Sequence, residues 1–328
     1  MKCYIYQLDK ISEIRVKTRV MERIIGDIGN SESGKLILCM GAVHGNEISG
    51  MLALERVFNF LNQNHIQLNG RFVGLRGNLQ AIKRGQRYID KDLNRVWSDE
   101  MIQTALEKPY LFAEYLEIKQ LFETFQEIGF SDYPEKVFLD LHTTSAENGT
   151  FTLVEELAST AYMAEHLHAP IVLGLHKGLL NTSIPYMHMH GFTAIGFEAG
   201  KIGSHQAIDN QELTIWQVLY LNGFLEWEQV PDNVQNYTIL LEQTSHLPEI
   251  LKLDYCHKIR PEDNFKMMPG FKNFDPIKKG QLLAHDVNGE IRAQSDGFML
   301  MPLYQQEGND GFFLISEVKE GEEEYRVG

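Results

Sequence analysis

Residues 35–43 read KLILCMGAV, a run with no polar side chain after the lysine. Successive side chains of a β-strand point to opposite faces, so this run can be a strand only if both faces are buried. The preceding SESG, residues 31–34, supplies turn-forming residues. Immediately after the run, residues 47–62 (EISGMLALERVFNFLN) carry apolar side chains at helical spacing. A strand buried on both faces that feeds an amphipathic helix is half of a βαβ unit. Further apolar runs at 71–75, 137–141 (VFLDL) and 193–197 (TAIGF) predict three more such strands. The fold class expected is α/β, with a mixed, mostly parallel sheet flanked by helices. Residues 98–128 are expected to form one or two amphipathic helices, with Ser98 as N-cap and Pro109 as a break; 212–228 predict another helix.

After Pro231 the pattern changes. Short alternating segments punctuated by Gly270, Gly280, Gly289, Gly297 and Gly311 predict a smaller all-β unit. The chain is therefore read as two domains, 1–232 and 233–328, and the acidic stretch 317–324 as a frayed tail. The 328 residues allow a large core. Thirty basic against 45 acidic side chains give a net charge of −15, which argues against nucleic acid or an anionic membrane as partner. The same charge repels an anionic substrate at long range, so any anion site must be locally basic. Cys3, Cys39 and Cys256 are too scattered for a disulfide framework or a cysteine-based metal site. The N-terminus lacks an apolar signal region and no run of about 18 apolar residues occurs, so a cytoplasmic protein without a membrane span is expected.

In parallel sheets functional groups gather beyond the carboxyl ends of strands. His44, His142 and Glu198 each lie one to three residues past an expected strand end. Gly41-Ala42-Val43-His44-Gly45-Asn46-Glu47 sits at the first strand-to-helix turn, where a three-residue spacing can bring His44 and Glu47 to one point. With His142 they make a His₂Glu set, the usual protein share of a catalytic zinc site whose fourth position is open. A lone HxxE arises often by chance. Taken singly, His44 would be a loop histidine bonded to backbone, and Glu47 a first-turn carboxylate favoured by the helix dipole. Asp92 and Asp140 stand beside apolar residues, and a buried carboxylate needs a partner; a metal-bound imidazole donating its other N–H is one. Between the ligands, Asn94, Arg95 and Arg87 offer an amide and two guanidinium forks suited to carboxylates. Arg87 could equally act as an electrophile toward a scissile carbonyl. Glu198, leaving an apolar strand between Gly196 and Gly200, could take a proton from water and pass it to a leaving amine.

The joint pattern His44-x-x-Glu47, Asp92-Leu93-Asn94-Arg95, Asp140-Leu141-His142 and Glu198 resembles the succinylglutamate desuccinylase/aspartoacylase family, a branch of the zinc carboxypeptidase-like superfamily. A weaker similarity covers 274–284 and 296–302. The resemblance implies one zinc per chain bound by His44, Glu47 and His142, with Asp92 orienting His44. It implies Glu198 as general base and then acid, and Arg87 polarising the amide carbonyl. Asn94 and Arg95 would hold the carboxylate of a small acidic N-acyl amino acid, which zinc-bound water would attack. The second domain would shape access to the site. Two departures bear on substrate choice. Residues 180–193 contain no arginine, where aspartoacylases use one for a substrate carboxylate, and His188 and His190 are the basic groups there. The nearest candidate for a late aspartoacylase tyrosine is Tyr304. The alternatives are a metallocarboxypeptidase acting on short peptides and a non-catalytic binding protein of the same fold. Homo-oligomerisation stays open.

Overall fold

A computed structural model describes residues 21–319, apart from 31, 33, 156, 236, 237 and 306; most of the expected acidic tail thus lies outside the described residues. The strands are β1 (Ile24–Gly29), β2 (Lys35–Gly41), β3 (Arg71–Arg76), β4 (Glu135–Thr144), β5 (Thr150–Val154), β6 (Ile171–Leu173) and β7 (Thr193–Lys201). They continue as β8 (Ile250–Lys258), β9 (Lys266–Met267), β10 (Pro276–Ile277), β11 (Leu282–Asp286), β12 (Gly289–Arg292), β13 (Gly297–Leu300) and β14 (Asp310–Glu317). The helices that bear on the site are α1 (Ser49–Gln63), α2 (Leu79–Arg84), α3 (Asp99–Glu107), α4 (Ala113–Ile128), α5 (Leu157–Glu165), α6 (Leu175–Gly178), α7 (Ser183–Met189) and α8 (His205–Leu221).

The central sheet runs β1-β3-β2-β4-β7-β5-β6-β8-β14-β13-β10, and β12-β11-β9 form a separate antiparallel sheet. Strands β3, β2, β4 and β7 are mutually parallel, as are β5, β6 and β8. The mixed, mostly parallel sheet read from the apolar runs is present.

Strand β2 shows why. Its odd residues Ile37 and Cys39 join one core with Leu54, Val57 and Phe58 of α1 and Trp216 of α8. Its even residues Leu36, Leu38 and Met40 join the other, with Tyr115, Ile118, Leu121 and Phe125 of α4. Burying each such side chain contributes roughly 1.5–3 kcal/mol relative to exposure, so the run is stable only between two helical layers. Ser98 caps α3, its hydroxyl accepting from Met101 N at 3.3 Å, and the chain breaks at Pro109 before α4.

Two differences from the sequence reading have clear causes. The helix expected over 212–228 begins earlier, at His205, because Ser204 caps it by accepting from Ala207 N at 3.1 Å; it ends at Leu221. Strands β4 and β7 run on through His142 and Glu198 to Thr144 and Lys201, so these two residues lie inside strands rather than past them. The sequence after Pro231 gives the short β segments expected. Strand β8, however, pairs in parallel with β6, which joins β14, β13 and β10 to the central sheet. No helix among the described residues is long and apolar enough to cross a membrane.

Candidate active site

The turn after β2 is tightly constrained. Ala42 takes φ +56°, a left-handed conformation that costs of order 1 kcal/mol for a residue with a side chain. Glu47 N donates to His44 O at 3.0 Å, closing a turn that aims both side chains the same way. Gly45 donates to Arg87 O at 3.1 Å, and a Cβ there would meet the Ala81 carbonyl carbon of α2 at 2.1 Å. Only glycine permits that approach, which brings the Arg87 segment over the turn.

In the sheet register His142 of β4 stands directly beside Glu198 of β7. With His44 and Glu47 from the neighbouring β2–α1 turn, four functional groups meet at the carboxyl end of the parallel strands. His44, Glu47 and His142, all buried, bring one ligand-type atom each within 4.8 Å of one another, a set that could hold a metal ion. Each imidazole turns one nitrogen toward Glu47 and the other toward a buried carboxylate. His44 Nδ1 lies 2.9 Å from Glu47 Oε1 and its Nε2 3.0 Å from Asp92 Oδ1. His142 Nδ1 lies 3.6 Å from Glu47 Oε2 and its Nε2 3.1 Å from Asp140 Oδ2. Despite its closeness to Glu47, buried His44 Nδ1 makes no hydrogen bond. The donor set therefore fits a cation: nitrogens face an open point while carboxylates orient the rings from behind.

The electrostatics agree. Burial pushes the Glu47 carboxyl up, but His44, His142 and Arg87 overcome it and hold the group well below the usual range. Asp92 follows the same pattern under His44, Arg87 and Arg95. Burial lowers the His142 imidazole, yet Asp140, Glu47 and Glu198 carry it well above its ordinary value. Glu198 goes the other way. Burial and the charge of Glu47 outweigh His142 and Arg87 and push it up to about 8. Its Oε2 is buried without a hydrogen bond.

Arg87 reaches the cluster, donating to Glu47 Oε1 at 2.9 Å and Asp92 Oδ2 at 3.2 Å. Asn94 accepts from Ser183 N at 2.9 Å, which orients its amide. Arg95 donates to Asn94 O and to Asp310 Oδ2, both at 2.7 Å. His44, Glu47, Arg87, Asp92, Asn94, Arg95, His142 and Glu198 thus border one cavity of about 120 Å³, while Asp140 stands behind His142 and does not border it. His188 and His190 do not border it, and His190 stacks on Tyr186 instead. Neither does Tyr304, whose hydroxyl accepts from Phe271 N and donates to Met268 O.

Sequence reasoning missed two supports. Glu114, fully buried at the start of α4, accepts from the backbone N–H groups of Ile89, Asp90 and Lys91 at 2.7–3.0 Å and so fixes the segment carrying Arg87 to Arg95. Its signal was available: Glu114, Glu117, Ile118 and Leu121 share one helical stripe, which places two acids on a buried face. Asp310, at the start of β14, is held between Arg95 and Lys258 Nζ, the latter at 2.5 Å. No local pattern marks it, because its partner lies 215 residues away.

Comparison with known proteins places the chain among its relatives. A family model described as the succinylglutamate desuccinylase/aspartoacylase catalytic domain matches residues 33–220. A succinylglutamate desuccinylase from Pseudoalteromonas atlantica is 24% identical over 282 residues, covering 81% of this chain and 76% of that protein. A probable aspartoacylase from Prochlorococcus marinus is 24% identical over 287 residues, covering 81% and 84%. Among solved structures, a succinylglutamate desuccinylase/aspartoacylase from Rhodobacter sphaeroides shares the fold with a TM-score of 0.64 at 17% identity, covering 90% of this chain and 88% of that one. The ectoine utilization protein EutE (DoeB) of Ruegeria pomeroyi shares it at 0.61 and 18% identity, covering 88% and 87%. With a matched catalytic domain that spans more than half of its length, this chain belongs to the succinylglutamate desuccinylase/aspartoacylase family.

Proposed function

We propose that this protein is a zinc-dependent hydrolase that cleaves the amide bond of small N-acyl amino acids. The observation that carries the reading is the convergence of His44, Glu47 and His142 on one point, with Glu198 beside His142 in the sheet register. His44, Glu47 and His142 would hold one zinc, and two imidazoles with a carboxylate suit that ion with a position left open. When bound, the zinc supplies Lewis acidity, activating water and polarising the amide carbonyl.

The chain's own residues do the rest. Glu198 takes a proton from the attacking water and delivers it to the leaving nitrogen. The C–N bond breaks, the water oxygen stays on the acyl carbon, and a carboxylate and a free amine result. A carboxyl that burial already lifts to about 8 is suited to holding a proton between the two steps. Arg87 steadies Glu47 and Asp92 and presents its charge to the developing oxyanion. Asn94 and Arg95 receive the substrate carboxylate. Asp92 and Asp140 orient His44 and His142. Residues 233–328 would act as a second unit that narrows access, a role supported by Met301, Leu303 and Asp310 on the cavity wall.

The test is hydrolysis of N-acyl amino acids by the zinc-loaded protein, beside dipeptides with free amino termini. The reading expects amine release from the N-acyl compounds, lost on chelation and restored by zinc. Glu198→Gln should lower turnover by about 10²–10⁴-fold while zinc stays bound. Release from dipeptides alone, or unchanged turnover in that variant, would overturn the assignment.

A further inference from the structure

The cavity has two chemically distinct parts. Its floor is the His44, Glu47, His142 and Glu198 cluster; its wall is apolar. Leu153 of β5, Leu175 of α6, Leu179, Ile184 of α7, Leu303 and Phe313 of β14 line that wall. Leu175, Ile184 and Phe313 belong to the core on the α4 face of the sheet, so the wall is held rigidly from behind.

The charged groups are arranged against a second substrate anion. Among the described residues the cavity's arginines and lysines are Arg87 and Arg95 alone, beside five acidic side chains of which Glu198 favours its neutral form. Arg87 is committed to Glu47 and Asp92. Arg95 already donates to Asp310 and to Asn94 O, so its remaining N–H groups can serve one carboxylate beside Asp310. Asp310, which borders the cavity and pairs with Arg95, already places one carboxylate at that position. A second carboxylate would have to lose its water against leucine, isoleucine and phenylalanine, without a cation to replace it.

We propose that the site takes N-acyl amino acids with a single carboxylate and an apolar, uncharged remainder, and disfavours dicarboxylates. The inference rests on the deacylase reading above and narrows the acidic substrate that the sequence alone suggested. Arg95 and Asn94 hold the one carboxylate, and the apolar wall takes either the acyl chain or the amino-acid side chain.

The experiment compares kcat/KM of the zinc-loaded protein for N-acetyl-L-leucine and N-hexanoylglycine with that for N-acetyl-L-aspartate and N-succinyl-L-glutamate. At least one of the two monocarboxylates should exceed both N-acetyl-L-aspartate, a dicarboxylate, and N-succinyl-L-glutamate, a tricarboxylate, by about tenfold or more, the scale on which an apolar pocket discriminates. Equal or faster turnover of either polycarboxylate overturns the inference while leaving the deacylase reading intact. Hydrolysis of none of the four overturns the deacylase reading, and the inference with it. Ile184→Arg and Leu303→Arg each add a cation to the wall; Leu303 is the less buried, so it serves where the other variant does not fold. Either folded, zinc-loaded variant should shift the ratio toward the polycarboxylates, and an unmoved ratio removes the wall as the subsite.

Discussion

Glu198 is the residue whose environment says most about its role. Its carboxyl rises from an ordinary 4.5 to about 8 because it is buried beside Glu47. Protonation is therefore what the metal-free fold favours. The stability contributed by the neutral acid is complete below 4.5 and is lost as pH climbs to about 8. Glutamine mimics the neutral acid at every pH. In metal-free protein, the melting temperature of Glu198→Gln relative to the parent should therefore rise steadily across that window; a difference independent of pH would contradict the burial argument. Asp140 makes a second test. It faces His142 Nε2 and accepts a hydrogen bond from the Ser183 hydroxyl. Asp140→Asn keeps the shape and removes the charge, and zinc affinity measured by competition should fall about 10–100-fold. An unchanged affinity would leave Asp140 a structural acid. His44 and Glu47 were legible in the sequence because they follow an apolar run at a three-residue spacing, and His142 because it follows another such run. The pairing of Arg87 with Glu47 and Asp92 and of Arg95 with Asp310 was not, since an arginine's partner is set by whatever the fold brings near it.

At the scale of elements, the site depends on a helix outside the His44, Glu47 and His142 cluster. Glu114 of α4 satisfies three backbone donors of the segment that presents Arg87, Asp92, Asn94 and Arg95. Glu114→Ala removes a fully buried carboxylate and leaves three part-buried donors without it, which should lower unfolding free energy by roughly 1–3 kcal/mol, with kcat/KM falling as well. Denaturant unfolding checks the first; full stability in that variant would mean that water replaces the carboxylate. Elements with strong periodicity were readable: β2, α1, the Ser98 cap and the break at Pro109. Strand ends were not, because His142-Thr143-Thr144 in β4 look like a loop yet remain paired and buried in the sheet. The start of α8 was hidden by its polar first turn, which becomes helical through the Ser204 cap.

Across the whole molecule, the sequence divides at Pro231 while hydrogen bonding does not. The change in pattern is real, since short strands dominate after that point. Yet β8 pairs with β6, and Asp310 of β14 pairs with Arg95, so sheet and site both span the division. Such long-range pairings leave no local signal. A continuous sheet of this kind should unfold as one unit, and calorimetry is expected to show a single transition with matching calorimetric and van't Hoff enthalpies. Two resolved transitions would show that 1–232 and 233–328 fold separately.

The central claim is that His44, Glu47 and His142 together hold a catalytic zinc. Elemental analysis of the purified protein beside its His142→Ala variant addresses it most directly. The account predicts about one zinc per chain in the parent and a large loss in the variant, matched by loss of N-acyl amino acid hydrolysis. No zinc in the parent after incubation with the metal, or equal zinc in both proteins, would contradict it.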